Sequence, residues 1–334
     1  MKKILFAVIG FVLFLMACSN KPAKKMQFVG AAQGTYYSIT YYDEYSRNFQ
    51  KDVDSILNAF DQSVSIYKSN SIVSKLNRNE AVELDQWFIG NFELSQRISS
   101  ETSGSFDITI GPLANIWGFG TFEKPDSINY AAIDSVKKLV GYERVKIENG
   151  RFVKENPLIQ LNFNAIAQGY AVDVLSDFFI NNGIESFLID LGGEIFAKGQ
   201  KPDGAIWKIG IEIPEEGAET RFYNEIVSIK DEAVASSGNY RKFYEIDGVK
   251  YAHSLDPKTG FPVKHSLLST TVIAPTTAEA DAYATAFMVM GVDKTLEFVK
   301  SHPNLKVYMV YDENGEPASA MSSNMKPYLN DASE

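Results

Sequence analysis

Short β-like runs joined by tight turns outnumber helical segments in this chain, and that ratio constrains the fold more than any other feature. Residues 35–42 (TYYSITYY) follow Gly34 and read as a strand, and 144–148 and 151–154 flank Asn149-Gly150, a two-residue hairpin signal. SFLIDLGG (186–193) reads as a buried strand entering a Gly-Gly turn, and 205–214 alternates as a half-buried strand does. Further strands are expected at 225–230, 233–236, 242–246 and 267–273. Four stretches carry helical spacing instead. They are 47–60, with Val53, Ile56, Leu57 and Phe60; 84–100, with Leu84, Phe88, Phe92 and Leu94; 164–181, capped by Asn164 and ended by Asn182-Gly183; and 277–290. At the start of the last, Thr276 can cap and Glu279 can close a capping box. Strands joined by hairpin-like turns, without regular βα alternation, predict an α+β fold rather than a doubly wound parallel sheet.

The 334 residues are 45% hydrophobic and 22% charged, enough for a sizeable core. The net charge of −10 argues against a nucleic-acid partner. Cys18 is the single cysteine, so no disulfide forms within the chain. It follows MKK and the apolar run ILFAVIGFVLFLMA, which is too short to span a bilayer comfortably and reads as a signal-peptide core. Leu15-Met16-Ala17-Cys18 resembles a bacterial lipobox, which implies cleavage after residue 17 and a lipid anchor, such as palmitate, on Cys18. The expected organisation is a leader at 1–17, a lipidated tether at 18–28, one catalytic domain at 29–322 and a polar tail at 323–334.

Several segments carry chemistry. Asp281 and Thr285 lie four residues apart and share a helix face, offering two oxygens to a hard cation such as Mg²⁺. The same pair also fits a carboxylate complementing the helix dipole beside a back-bonded threonine, and spacing leaves both readings open. In TSGSFDITIGPLANIWGFG (102–120), glycines bracket Phe106, Trp117 and Phe119, as a planar ligand with phosphates would need, or as a glycine-rich surface loop would show. SSGNY (236–240) can aim several N–H donors at a phosphate, although neither a Walker A loop nor a GxGxxG fingerprint is present. YAHSLDPKTGFP (251–262) sets His253, one of three histidines, at a strand end before the turn Asp256-Pro257-Lys258-Thr259-Gly260. Such a position suits a reacting group, and equally a histidine bonded to a backbone carbonyl.

Taken in order, these segments resemble the ApbE family, the FAD:protein FMN transferases, over about 29–322. The resemblance rests on Gly34-Thr35; Ser65-Ile66-Tyr67; the run Ser71 to Asn77; Gly104, Phe106, Asp107, Thr109, Gly111-Pro112-Leu113 and Trp117-Gly118-Phe119. It continues through AIAQGYAVD (165–173), Asp190-Leu191-Gly192-Gly193-Glu194, Ser237-Gly238-Asn239-Tyr240-Arg241, His253 to Gly260, and Ala280-Asp281-Ala282 with Thr285 and Gly291. Gln33, Ile72 and Gln168 stand where the family commonly has Met, Glu and Lys.

The resemblance implies a two-lobed α+β fold with mixed or antiparallel sheets and packed helices. It implies Mg²⁺ held by the Ala165 carbonyl, Asp281 and Thr285, and FAD contacts from Gly34, Tyr67, Phe106, Asp107, Gln168, Asp173, Glu194, Ser237, Gly238, Asn239, Tyr240, Lys258 and Thr259. His253 is the implied base, with Asp256 assisting or organising its turn. The implied reaction moves FMN from FAD through its phosphate to a Thr or Ser of an exported or membrane-associated flavoprotein and releases AMP. The implied location is the bacterial cell envelope, facing the periplasm. Two other activities are compatible with the departures: Mg²⁺-dependent FAD pyrophosphatase, and FAD binding without turnover.

Overall fold

A computed structural model describes residues 22–120, 128–212, 223–239, 243–246, 249–252 and 254–330. The hairpin Lys24–Ala32 (β1) and Thr35–Asp43 (β2) leads into Gln50–Val64 (α1), Ile72–Asn77 (α2), Gln86–Glu101 (α3), Gly111–Ile116 (α4) and Tyr130–Lys137 (α5). A second hairpin, Val145–Glu148 (β3) and Arg151–Lys154 (β4), precedes Ala167–Asn181 (α6). Next come Phe187–Leu191 (β5), Glu194–Lys198 (β6), Trp207–Glu212 (β7), Tyr223–Ile229 (β8), Glu232–Gly238 (β9), Phe243–Ile246 (β10), Val249–Ala252 (β11) and Leu267–Ala274 (β12). Thr277–Met290 (α7), Val292–Lys300 (α8), Lys306–Glu313 (β13), Glu316–Met321 (β14) and Leu329–Asn330 (β15) complete the order.

Eight strands form one sheet in the order β1-β2-β5-β6-β9-β12-β13-β14, antiparallel at every step. This is the α+β class that the hairpin pattern predicts. The sheet is covered on both faces, which explains why β12 is buried nearly throughout rather than alternating in and out. Val272 and Ala274 join the core under the helices, whereas Ile273 points into a second core beneath the three-stranded sheet β15-β8-β7. β9 divides the same way, with Ala233 and Ala235 on the helical side and Val234 on the other. A third, smaller cluster of Leu113, Ala114, Trp117, Ile128, Ile133 and Leu255 surrounds α4 and α5. There the Trp117 indole N–H donates to the Gly260 carbonyl at 2.8 Å and fixes the 256–260 turn.

The helices follow their sequence signals. Val53, Leu57, Phe60 and Val64 are the buried stripe of α1. Asp85 caps α3 by accepting from the Phe88 N–H at 2.7 Å. α7 is buried on all sides, and its run of alanines lets neighbouring elements approach closely.

Five expectations differ from the structure. α6 begins at Ala167 rather than 164, and Asn164 does not cap it; its exposed amide instead donates to the Tyr67 hydroxyl at 2.9 Å. Glu279 does not close a capping box, because its carboxylate pairs with Arg97 of α3, while Thr276 does accept from the Glu279 N–H at 3.3 Å. The glycine-rich segment 102–120 is partly helical at 108–116. The ordered fold starts inside the expected tether, since Lys24–Phe28 pairs with Ile39–Asp43 and places Met26 and Phe28 against the helical core. At the other end, Met325 is fully buried in the second core and β15 pairs with β8, so the expected polar tail contributes to packing up to residue 330.

Candidate active site

A cleft of about 820 Å³ opens where the three-stranded sheet stops covering the large one. Its floor includes Leu188, Asp190, Ile195, Val234, Ser236, Ser269 and Thr271 from β5, β6, β9 and β12, and Lys208–Ile211 of β7 forms part of its wall. Phe106, Asp107, Ala114 and Phe119 close another side, and Ala165, Gln168, Asp281 and Thr285 stand at the meeting of α6 and α7. Long-range antiparallel pairing and the helix packing bring these distant segments together.

The α6–α7 contact has an unusual hydrogen-bond pattern. In a regular helix the Gly169 N–H would donate to the Ala165 carbonyl four residues back. Here it donates to Asp281 Oδ2 at 3.1 Å, and among the described residues no backbone N–H donates to the Ala165 carbonyl. The exchange leaves a carbonyl oxygen, the second carboxylate oxygen of Asp281 and the Thr285 hydroxyl beside one another's elements at the cleft wall. These are hard oxygen donors of the kind that hold Mg²⁺. Among the described residues no three His, Cys, Asp or Glu gather into a metal cluster, so a cation at this point would rely on a mixed set of one carboxylate, one hydroxyl and one carbonyl.

Asp281 is buried, and that burial, together with the charge of Asp173, pushes its carboxyl up to about 7 against the pull of the Gly169 N–H. A carboxylate placed at such cost, with one oxygen left to the cleft, suits a bound cation. Asp173 is raised to about 6, again chiefly by burial, opposed by the Ala278 and Thr277 N–H groups. Burial also raises Asp107 to about 6, opposed by Thr109 and Tyr142.

The cleft gathers Gly34, Phe106, Asp107, Ala165, Gln168, Glu194, Ser237, Gly238, Asp281 and Thr285 from the residues that the sequence singles out. Others stand apart from its lining. Tyr67 is 64% exposed and reaches the cleft through Asn164, which lines it. Asn239 accepts from the hydroxyl of the lining residue Ser254 at 2.7 Å. Asp173 does not line the cleft: its two oxygens accept from the N–H groups of Thr277 at 2.7 Å and Ala278 at 2.9 Å. The 256–260 turn is self-organised, with Asp256 Oδ1 accepting from Lys258 N–H at 2.8 Å and Thr259 Oγ1 from Phe261 N–H at 3.3 Å. Lys258 and Thr259 are exposed and outside the lining. Asp107 lines the cleft, yet its carboxylate is engaged by the Thr109 N–H and hydroxyl and the Tyr142 N–H, at 2.8, 2.6 and 2.8 Å, so it shapes the wall. Cys18, Tyr240, Arg241 and His253 lie outside the described residues.

Sequence reasoning missed Asn162, Asn164, Asp190 and Lys208 as lining residues. Lys208 is the one Lys or Arg among the described lining residues, and only its place in an alternating strand was visible beforehand. Gln168 donates to the Leu191 carbonyl at 3.3 Å, bracing the β5–β6 turn. Gly192 in that turn has φ +67, a backbone conformation that favours glycine, and a Cβ there would meet the Gln168 amide at 2.4 Å and displace it.

This architecture has counterparts among known proteins. A Vibrio cholerae protein named FAD:protein FMN transferase is 33% identical over 95% of this chain and 96% of its own length. An Escherichia coli K12 protein of the same name is 32% identical over 97% and 96%. The solved flavin transferase ApbE from Vibrio cholerae superimposes with a TM-score of 0.83 at 31% identity, covering 92% of this chain and all of that one. The apo flavinyl transferase ApbE of Pseudomonas stutzeri gives 0.81 at 30% identity, covering 92% and 98%. With the family's sequence profile matching residues 33–309, a span that contains every residue lining the cleft and all but the outermost parts of the large sheet, the chain belongs to the ApbE family.

Proposed function

We infer that this chain is an FAD:protein FMN transferase that uses Mg²⁺ to move FMN from FAD onto a Thr or Ser hydroxyl of an acceptor flavoprotein, releasing AMP. The observation that carries the metal part is the Gly169–Asp281 hydrogen bond, which frees the Ala165 carbonyl beside a cleft-facing carboxylate. The Ala165 carbonyl, Asp281 and Thr285 would hold the ion. When bound, Mg²⁺ neutralises the pyrophosphate and the charge developing on the departing AMP phosphate.

The chain's own groups do the rest. Ser237, Gly238 and Phe106 line the cleft where a dinucleotide would lie, and Lys208 adds positive charge to its wall. His253 takes the proton of the acceptor hydroxyl as its oxygen forms a bond to the FMN phosphorus; the bond from that phosphorus to the bridging oxygen breaks, and AMP carries the electron pair away. The role of His253 rests on the resemblance of 253–260 to the family signature.

The test is direct. Chain, FAD and Mg²⁺ are incubated with a threonine-bearing acceptor, and mass spectrometry follows covalent FMN on the acceptor while AMP is quantified. Stoichiometric FMN addition and AMP release, both abolished by EDTA, support the reading; AMP with free FMN, independent of acceptor, would identify a pyrophosphatase instead.

Gln168→Lys adds a cation where the family commonly has one. It is expected to tighten FAD binding about 3- to 10-fold at low ionic strength, an effect that fades with salt. Fluorescence titration of FAD checks this, and an unchanged affinity would mean that Lys208 already satisfies the phosphates.

The apolar leader and Leu15-Met16-Ala17-Cys18 support a lipid anchor on Cys18 facing the periplasm. No described helix is long and apolar enough to cross a membrane. With β1 starting at Lys24, the tether would hold the fold within roughly 20 Å of the lipid. Metabolic palmitate labelling of wild type and Cys18→Ser tests the anchor.

A further inference from the structure

Two stripes with helical spacing face each other across the α6–α7 contact. Ala165, Gly169 and Asp173 form one, and Thr277, Asp281 and Thr285 form the other, each at intervals of four residues. Their bonds run in opposite senses and are reciprocal. Asp281 of α7 accepts from the Gly169 N–H in the first turn of α6, and Asp173 of α6 accepts from the Thr277 and Ala278 N–H groups in the first turn of α7. Each helix therefore supplies the carboxylate that satisfies the other's orphaned amides. The ordinary side-chain cap is weak or lacking at both ends: Ile166 gives α6 none, and Thr276 reaches only the Glu279 N–H of α7.

Gly169 lets the backbones meet, since a Cβ on it would lie 2.4 Å from the Thr277 carbonyl oxygen. The Asp173 bonds converge on that same first turn of α7, one turn before Asp281. They fix where α7 starts and how it is rotated, and so where the Asp281 carboxylate and Thr285 hydroxyl stand relative to the Ala165 carbonyl.

We propose that Asp173 is a positioning residue for the cation site: by binding the first two amides of α7 it sets the rotation and depth of that helix, so that Asp281 takes the Gly169 N–H and leaves the Ala165 carbonyl free. It does not touch the substrate or the ion. The inference rests on the metal reading above and adds to it a residue outside the cleft.

Asp173→Asn keeps the size and one acceptor oxygen but turns the other position into a donor facing a donor. Loss of such an outer partner weakens metal binding by about 10- to 100-fold. The measurement is Mg²⁺ affinity of the FAD-loaded chain by isothermal titration calorimetry, at a temperature where every variant is folded. The expected result is that loss of affinity, with kcat at saturating Mg²⁺ within about threefold of wild type and metal-free FAD affinity unchanged.

Thr277→Pro gives a second route. It removes one of the two donors at the first helical position, where proline is accepted, and Thr276 before it is already extended at φ −127, ψ 155, as a following proline requires. A several-fold weaker Mg²⁺ affinity is expected. Met325→Ala in the second core serves as control, because it lowers stability without a route to α7 and is expected to leave Mg²⁺ affinity unchanged. A folded Asp173→Asn protein that binds Mg²⁺ as wild type does overturns the inference while leaving the metal reading intact. Equal weakening in Met325→Ala overturns it too, by showing a general effect of lost stability. A wild-type chain that binds no Mg²⁺ overturns both readings.

Discussion

Asp281→Asn is expected to reduce FMN transfer by about 1,000-fold or more and yet to make the metal-free protein more stable than wild type at pH 8. The two effects have opposite signs because one carboxylate serves them both. Burial and the neighbouring Asp173 raise the Asp281 carboxyl from 3.8 to about 7, so the folded state holds its proton more tightly than the unfolded state does. Its contribution to stability is therefore fully present below the unfolded value and is lost as pH rises through about 7. Asparagine cannot ionise and escapes that loss, and its carbonyl oxygen can still accept the Gly169 N–H.

At pH 5, where folded Asp281 keeps its proton but the unfolded carboxyl is still largely ionised, the stability gap should be clearly smaller than at pH 8, closing only below the unfolded value of 3.8. Mg²⁺ should reverse the order at pH 8, with wild type expected to gain melting temperature from the ion and the asparagine variant expected to gain none. Because the proton competes for the carboxylate, the Mg²⁺-dependent rise in wild-type melting temperature should shrink on acidification from pH 8 to pH 5. Thermal melts at both pH values, with Mg²⁺ and with EDTA, measure all four arms. A metal-free Asp281→Asn protein less stable than wild type at pH 8 would show that the charge is stabilised by something other than a bound cation.

The same residue shows how far the sequence could be read. The four-residue interval from Asp281 to Thr285 placed both on one face of a helix, and α7 lies at the expected 277–290. Interval alone left a metal ligand and a helix-end carboxylate both open, and the partner that Asp281 does bond, the Gly169 N–H, lies 112 residues away where no local pattern could show it. Asp173 illustrates the converse. The family resemblance placed it among the cofactor contacts, whereas its oxygens face the amides of α7, a use that no local pattern announces.

Hairpins were the most legible elements, because Asn149-Gly150 and Gly192-Gly193 encode their turns locally, with positive φ at all four residues. β1 was hidden because its lysines read as a solvated tether, and only pairing with β2 gives Met26 and Phe28 a core to face. Lys208 was legible as a strand residue but not as a wall of the site, since β7 reaches the cleft through the stacking of two sheets. Local chemistry named the donors; tertiary packing decided what each one does.

Gly169→Ala should have an effect of comparable size by a steric route. Alanine ordinarily favours a helix over glycine by about 1 kcal/mol. Here the added Cβ would lie 2.4 Å from the Thr277 carbonyl oxygen, 2.7 Å from its carbon and 2.9 Å from Ala278 Cα. All three are backbone atoms in the first turn of a helix buried on every side, so no side chain can rotate away to relieve the contact. The helices must separate, and overpacking of this kind costs about 1–3 kcal/mol, enough to cancel or exceed the helical gain.

Separation also lengthens the Gly169–Asp281 bond and returns the Gly169 N–H toward the Ala165 carbonyl, so Mg²⁺ affinity should fall by about 100-fold even in protein that stays folded. Gly90→Ala is the matched comparison. Its Cβ would meet the Tyr170 hydroxyl at 2.1 Å and Cζ at 3.0 Å, atoms of a ring stacked on Phe60, so a side chain rather than backbone must shift. Gly90→Ala is therefore expected to cost about 1–3 kcal/mol of stability by overpacking a ring, without driving the α6 and α7 backbones apart, and to leave Mg²⁺ affinity alone. Urea denaturation and Mg²⁺ titration of the two variants side by side decide the matter. If Gly169→Ala kept wild-type affinity, the close approach of α6 and α7 would not be what frees the Ala165 oxygen for a cation.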